Sequence, residues 1–122
     1  MMLLDSNIII YAAKPEYSHL CDLIAKNSPV LSAVSYVEVL GYHRLMPLEK
    51  SYFEAFFKAA TVLPITDAIL ETAIALKQQQ KLSLGDSLIA ATAIYHSLTL
   101  VTRNTKDFEW IPSLRLLNPF SH

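Results

Sequence analysis

Three acids stand alone in apolar stretches of this chain: Asp5 after MMLL, Glu38 inside YVEVLGY, and Asp86 inside LGDSLIAATAIYHS. Burying an ionised carboxylate without a partner is costly, so such groups are paired, metal-bound or protonated. The helical neighbours of Glu38 are Val34, Ser35, Gly41 and Tyr42, and those of Asp86 are Leu82, Ser83, Ile89 and Ala90. None is basic. A fourth acid, Asp107, lies in the polar stretch TRNTKDFE. Taken singly, each has a structural explanation: Ser83-x-x-Asp86 and Ser35-x-x-Glu38 read as variants of a capping box, Asp5 as a helix cap, and Asp107 as a solvated loop residue. Taken together, four converging carboxylates would raise one another's pKa unless a cation neutralised them. An all-oxygen donor set selects a hard cation, so the expected ion is Mg²⁺ or Mn²⁺ rather than Zn²⁺.

Other chemistries find little support. His19, His43, His96 and His122 lack metal-ligand spacing and no cysteine pair exists, which argues against zinc. No G-x-S-x-G motif supports a serine triad. Gly41 and Gly85 are the only glycines, so neither a Rossmann nor a P-loop phosphate cradle can be built. The net charge of −1 offers no broad basic docking surface, yet leaves open an enzyme that handles nucleic acid through a metal.

The elements that must position these acids are legible from pattern. With 122 residues, 52% of them hydrophobic and 17% charged, the chain has the size and composition of one globular domain spanning 1–122. Short strands are expected at 2–4, 29–31, 62–65 and 98–102, with an edge strand at 114–117. Helices are expected at 7–13, 16–26, 35–45, 48–60, 67–81 and 84–95, the last apolar on nearly every face and therefore buried. The stripe Tyr52, Phe53, Phe56 and Phe57 reads as core or subunit interface. Strands alternating with helices imply a doubly wound α/β fold with a mainly parallel sheet, whose ligands bind at the carboxyl ends of the strands. Asp5 and the 102–107 loop both fall at that edge. No apolar run reaches the ~20 residues of a membrane helix. The unpaired Cys21 fits a reducing compartment, and no signal peptide is expected at a start interrupted by Asp5, so the chain is expected in the cytoplasm.

LLDSNIIIYA, SYVEVLG, LSLGDSLIAATA and LTLVTRNTKDF resemble, in order, the motifs of PIN-domain nucleases, and within these the VapC type of toxin from prokaryotic toxin–antitoxin pairs. The resemblance runs from Leu3 to about Asn118. It implies a three-layer α/β/α sandwich around a parallel sheet. It also implies an Mg²⁺- or Mn²⁺-dependent ribonuclease, often a homodimer, blocked by a cognate antitoxin. Asp5, Glu38 and Asp86 match the family's three acidic positions and Asp107 the variable fourth. Asn7 completes the first motif, and Thr102 and Asn104 match polar residues beside the metal; either Asn104 or Asp107 supplies the fourth site group.

The resulting expectation is hydrolysis of RNA phosphodiester bonds. Asp5 and Asp86 are the principal ligands, Glu38 orients or deprotonates the attacking water, and Asp107 completes the ion site. Arg103 and Lys106 are phosphate contacts. Two alternatives differ in class. A receiver-type phosphoacceptor module would need a paired acid beside Asp5 and a lysine where Thr102 stands. A catalytically silent PIN-like interaction module would have no use for four such acids.

Overall fold

The structure is a computed structural model that describes residues 1–120, so His122 lies outside it. Five short strands, β1 (Met2–Leu4), β2 (Leu31–Ser32), β3 (Val62–Leu63), β4 (Thr99–Val101) and β5 (Arg115–Leu117), alternate with six α-helices. The helices are α1 (Ser6–Ala12), α2 (Ser18–Asn27), α3 (Ala33–Leu40), α4 (Pro47–Ala59), α5 (Asp67–Gln79) and α6 (Leu84–Tyr95). Every strand pairing is parallel. β4 lies between β1 and β5, and β2 pairs with β3. A parallel bridge between Leu3 and Val30 joins the two ladders, giving the spatial order β3-β2-β1-β4-β5.

That order reverses direction between β1 and β4. Such a switch point leaves a crevice at the carboxyl ends of the two central strands, where ligands bind in open α/β sheets. The receiver-type alternative calls for the order 2-1-3-4-5 and is thereby excluded.

Alternation along the strands builds the layers. Leu3 and Leu100 face a cluster containing Ile69, Ala73 and Leu76 of α5 and Leu88 to Ala91 of α6. Leu4 and Val101 face the opposite cluster, with Ile8 and Ile9 of α1, Val39 of α3, and Phe53 and Phe57 of α4. The sheet is thus covered on both faces, as parallel sheets require. The aromatic stripe of α4 divides accordingly: Phe53 and Phe57 are core, Phe56 is half-buried and Tyr52 is exposed. Each fully buried side chain of this kind contributes about 1.5–3 kcal/mol relative to an exposed one.

Local signals explain the helix boundaries, including those that differ from expectation. Pro47 opens α4, whose start is tied back where Glu49 Oε1 accepts from the Met46 N–H at 3.1 Å. The helix expected at 35–45 begins instead at Ala33, because Ser32 Oγ accepts from the Val34 N–H at 3.2 Å and serves as its cap. It stops at Leu40, with Gly41 beyond it. The capping box expected between Ser35 and Glu38 therefore does not form; both residues lie inside the helix. The box expected at Ser83 does form in part, since Ser83 Oγ accepts from the Asp86 N–H at 3.1 Å. Residues 84–95 form the expected buried helix, with Ser87 to Ala93 all inside. Among the described residues, no helix is long and apolar enough to cross a membrane.

Candidate active site

The crevice between β1 and β4 is wired by hydrogen bonds that begin in the sheet itself. The Asp5 N–H donates to Val101 O at 2.9 Å and the Thr102 N–H to Leu117 O at 3.0 Å, extending the ladder one residue past each strand. Asp5 and Thr102 are thus fixed side by side. Thr102 Oγ1 donates to Asp5 Oδ2 at 2.7 Å and accepts from the Asn104 N–H at 3.1 Å. Asp5 Oδ1 accepts from the Ser6 N–H at 2.7 Å, so the same carboxylate caps α1 as expected. Asp5 is 4% exposed and Thr102 fully buried.

Burial pushes the Asp5 carboxyl up to about 6, against the lowering effects of Thr102 and the Ser6 N–H, and Asp86 and Glu38 raise it further. Asp86, half-buried in the first turn of α6, is also raised, chiefly by burial and then by Asp107 and Glu38, while Ser83 lowers it. No lysine or arginine is among the groups that set either acid. The fold therefore couples Asp5, Glu38, Asp86 and Asp107 electrostatically, while Lys81 and Lys106 reach only the outer pocket beside Asp86 and Asp107.

Glu38 departs from expectation in its setting. Its neighbours along the chain are apolar, but on α3 it is exposed, beside Val37 at 68% exposure. It is nevertheless anchored. Ser6 Oγ donates to Glu38 Oε1 at 2.7 Å, and Ser6 Oγ and Ser35 Oγ lie 2.8 Å apart. With one proton on Ser6, Ser35 is left to donate to Ser6, so the chain runs Ser35 to Ser6 to Glu38. Both serines are buried. Sequence reading missed them as site residues, although each lies next to or three residues from an acid and could have been noticed on that ground.

The 102–107 loop completes the rim. Thr105–Asp107 forms a single 3₁₀ turn, with Asp107 exposed and its carbonyl accepting from Trp110 Nε1 at 2.9 Å. Asp86, Asp107, Ser83, Lys106 and Trp110 line a pocket of about 390 Å³. Asn7 and Asn104 are exposed, in the first turn of α1 and at the start of the 3₁₀ turn. Arg103 does not line that pocket. Its guanidinium sits 5.1 Å from the centre of the Tyr11 ring and 4.4 Å from that of Phe120. The neighbouring Tyr17 and Tyr11 raise its pKa.

Among the described residues no three acids, histidines or cysteines are close enough to enclose an ion by themselves. The donor set still suits a hydrated Mg²⁺ or Mn²⁺, which keeps several waters and is held by one or two carboxylates. Asp5, raised by burial and by the charge of Asp86, is the group that such an ion would relieve most.

A parallel sheet with order 3-2-1-4-5, covered by helices on both faces and carrying acids at its switch point, defines an α/β/α sandwich of the nuclease type. The chain belongs to the PIN domain family, whose model matches residues 2–112. It is 29% identical over 131 residues to Ribonuclease VapC2 of Rickettsia felis, covering 95% of this chain and 96% of that one. Among solved structures it is similar to a toxin–antitoxin complex from Klebsiella pneumoniae, with 29% identity, full coverage of both chains and a TM-score of 0.78. It also resembles VapBC2 from Rickettsia felis bound to a promoter DNA fragment, with 26% identity, 96% and 97% coverage and a TM-score of 0.80.

Proposed function

We propose that this chain is a divalent-metal-dependent endoribonuclease and the toxin of a toxin–antitoxin pair. The observation that carries the catalytic part is Asp5: a carboxyl 4% exposed at the switch point, aimed by Ser6 and Thr102, and raised by burial and by the neighbouring acids Asp86 and Glu38. Structural groups are rarely left in such a state, whereas catalytic ones often are. The relatives named Ribonuclease VapC2 and VapBC2, and the toxin–antitoxin complex, support RNA as substrate and a small antitoxin as partner. Homodimerisation and residence in the cytoplasm belong to the same reading.

Asp5 and Asp86 would hold the ion, with Glu38 and Asp107 flanking it. A bound Mg²⁺ or Mn²⁺ supplies positive charge at the scissile phosphate and acidifies a water. The chain's own residues do the rest. Thr102 keeps Asp5 Oδ2 aimed by a hydrogen bond that does not depend on the ion. Glu38, oriented by Ser6, accepts the proton of the attacking water. Lys106 sits at the Asp86–Asp107 pocket as a contact for substrate phosphate, with Asn7 and Asn104 as polar neighbours. Arg103, pre-oriented by Tyr11 and Phe120, extends the phosphate track one residue from Thr102.

The test is cleavage of structured RNA by purified protein with Mg²⁺ or with EDTA, alongside Asp5→Asn and Asp86→Asn. Metal-dependent cleavage that both substitutions abolish is the expected result. Full cleavage in EDTA, or by both variants, would remove the assignment. RNA or antitoxin binding with no cleavage under any metal would favour the silent interaction module.

A further inference from the structure

We infer that Gly85 is a positioning residue: the side chain it lacks is the space in which the Glu38 carboxylate sits. The inference rests on the reading of Glu38 as the group at the attacking water. Gly85 is the second residue of α6, where the backbone makes no demand for glycine, since no glycine in the chain has positive φ. Glycine is also a poor helix former, so its presence in the first turn needs another cause. A Cβ built on Gly85 would overlap Glu38 Oε2, lie 3.1 Å from Glu38 Cδ and 3.4 Å from Oε1.

The other glycine makes the contrast plain. A Cβ on Gly41 would strike the Val37 carbonyl oxygen, part of the backbone that closes α3. At Gly85 the three nearest atoms all belong to one side chain, reaching across from a different helix. Glu38 is exposed and has several rotatable bonds, so nothing in α3 itself fixes its carboxylate. Two neighbours do so, one at each oxygen: the Ser6 hydroxyl, braced by Ser35, holds Oε1, and the bare backbone of α6 leaves room for Oε2. A general base must be held within a fraction of an ångström of its productive place, and these contacts provide that.

The test is Gly85→Ala in the full chain, assayed for RNA cleavage with Mg²⁺ and for thermal stability. Because the obstructing atoms end a flexible side chain, alanine should leave the melting temperature unchanged or raised. It should lower kcat about ten- to a hundredfold, a share of the ~10²–10⁴-fold that a positioned general base contributes. KM should change little. In a Glu38→Ala background the same substitution should have no further effect, and a crystal structure of Gly85→Ala should show the Glu38 carboxylate withdrawn from Ser6. Ser6→Ala, which removes the contact at Oε1, should show the same dependence on Glu38. Unchanged kcat, an equal loss in the Glu38→Ala background, or an unmoved carboxylate would each overturn the inference while the wild-type enzyme still cleaves. Failure of the wild type to cleave would instead remove the nuclease reading itself.

Discussion

Asp5 and Asp107 each follow one of the two central strands, yet the fold treats them in opposite ways. Asp5 is buried, backbone-pinned by Val101, and has both oxygens occupied by Ser6 and Thr102. Asp107 is exposed, three residues beyond Asn104 in a single 3₁₀ turn. Burial raises the first carboxyl to about 6. In the proposed reaction a buried and prearranged carboxylate would be ready when the ion arrives, while an exposed one would have to be ordered by the ion or substrate. The site thus combines a rigid half, built on the sheet, with an adjustable rim.

The strongest way to break this contrast is Asp5→Asn. The substitution keeps a capping oxygen for Ser6 but removes the charge, and cleavage should fall by about 10²–10³-fold or more, the range associated with losing one group that acts on transition-state charge. Its effect on stability should have the opposite sign. Because the folded pKa lies above 3.8, ionisation of Asp5 disfavours the fold: stability is fully present below about pH 4 and is lost as pH rises through about 6. In EDTA at pH 7, Asp5→Asn should therefore be more stable than wild type by up to about 3 kcal/mol, with no gain at pH 4. Denaturant unfolding at the two pH values checks this. An equal difference at both would show that Asp5 is not held ionised at a cost.

Thr102→Val probes the same rigid half with a smaller change. Valine fills the space but leaves the Asp5 Oδ2 and the Asn104 N–H without their partner, an expected loss of about 1–3 kcal/mol by denaturant unfolding. Metal affinity, read by isothermal titration with Mn²⁺, should weaken with it. A variant as stable as wild type with unchanged affinity would mean that the sheet edge alone aims Asp5.

The rigid half was also the more legible one. Asp5 follows an apolar strand and begins a helix, so its place at the sheet edge and its role as a cap could both be read directly. The apolar run around Asp86 marked α6, and the structure places that helix at the expected residues. The surroundings of Glu38 were misread, because apolar neighbours along a chain become exposed when a helix lies at the surface, as Val37 does. Ser32 took the capping role expected of Ser35 since the strand before it ends one residue later than the pattern suggested. The Ser35–Ser6–Glu38 chain spans 32 residues and joins two helices. No local pattern encodes such a contact, and the same holds for the approach of Glu38 to Gly85.

On the adjustable rim smaller effects are expected. Asp107→Asn should lower cleavage about tenfold or less and leave metal-free stability within about 0.5 kcal/mol, as for other exposed substitutions. A loss as large as that of Asp5→Asn would show that the rim becomes as rigid as the sheet edge once substrate binds.

Arg103 offers the finest distinction. Its guanidinium stacks on Tyr11 and Phe120, and it could serve only to tie the C-terminal segment to α1, where Asn118 Nδ2 also donates to Arg103 O at 3.5 Å. A structural tie and a phosphate contact differ in their response to salt. Each phosphate neutralised on a single strand contributes about −0.7 to the slope of log affinity against log salt concentration. Binding of labelled RNA to Asp5→Asn, whose slowed cleavage should leave the substrate intact during the measurement, should lose about that much slope when Arg103→Ala is added. Replacing Phe120 by Leu keeps the charge but loosens its support, so it should weaken binding with the slope preserved. If Arg103→Ala lowers the melting temperature and leaves the salt slope intact, the residue belongs to the scaffold, and the track for RNA must run along Lys106 instead.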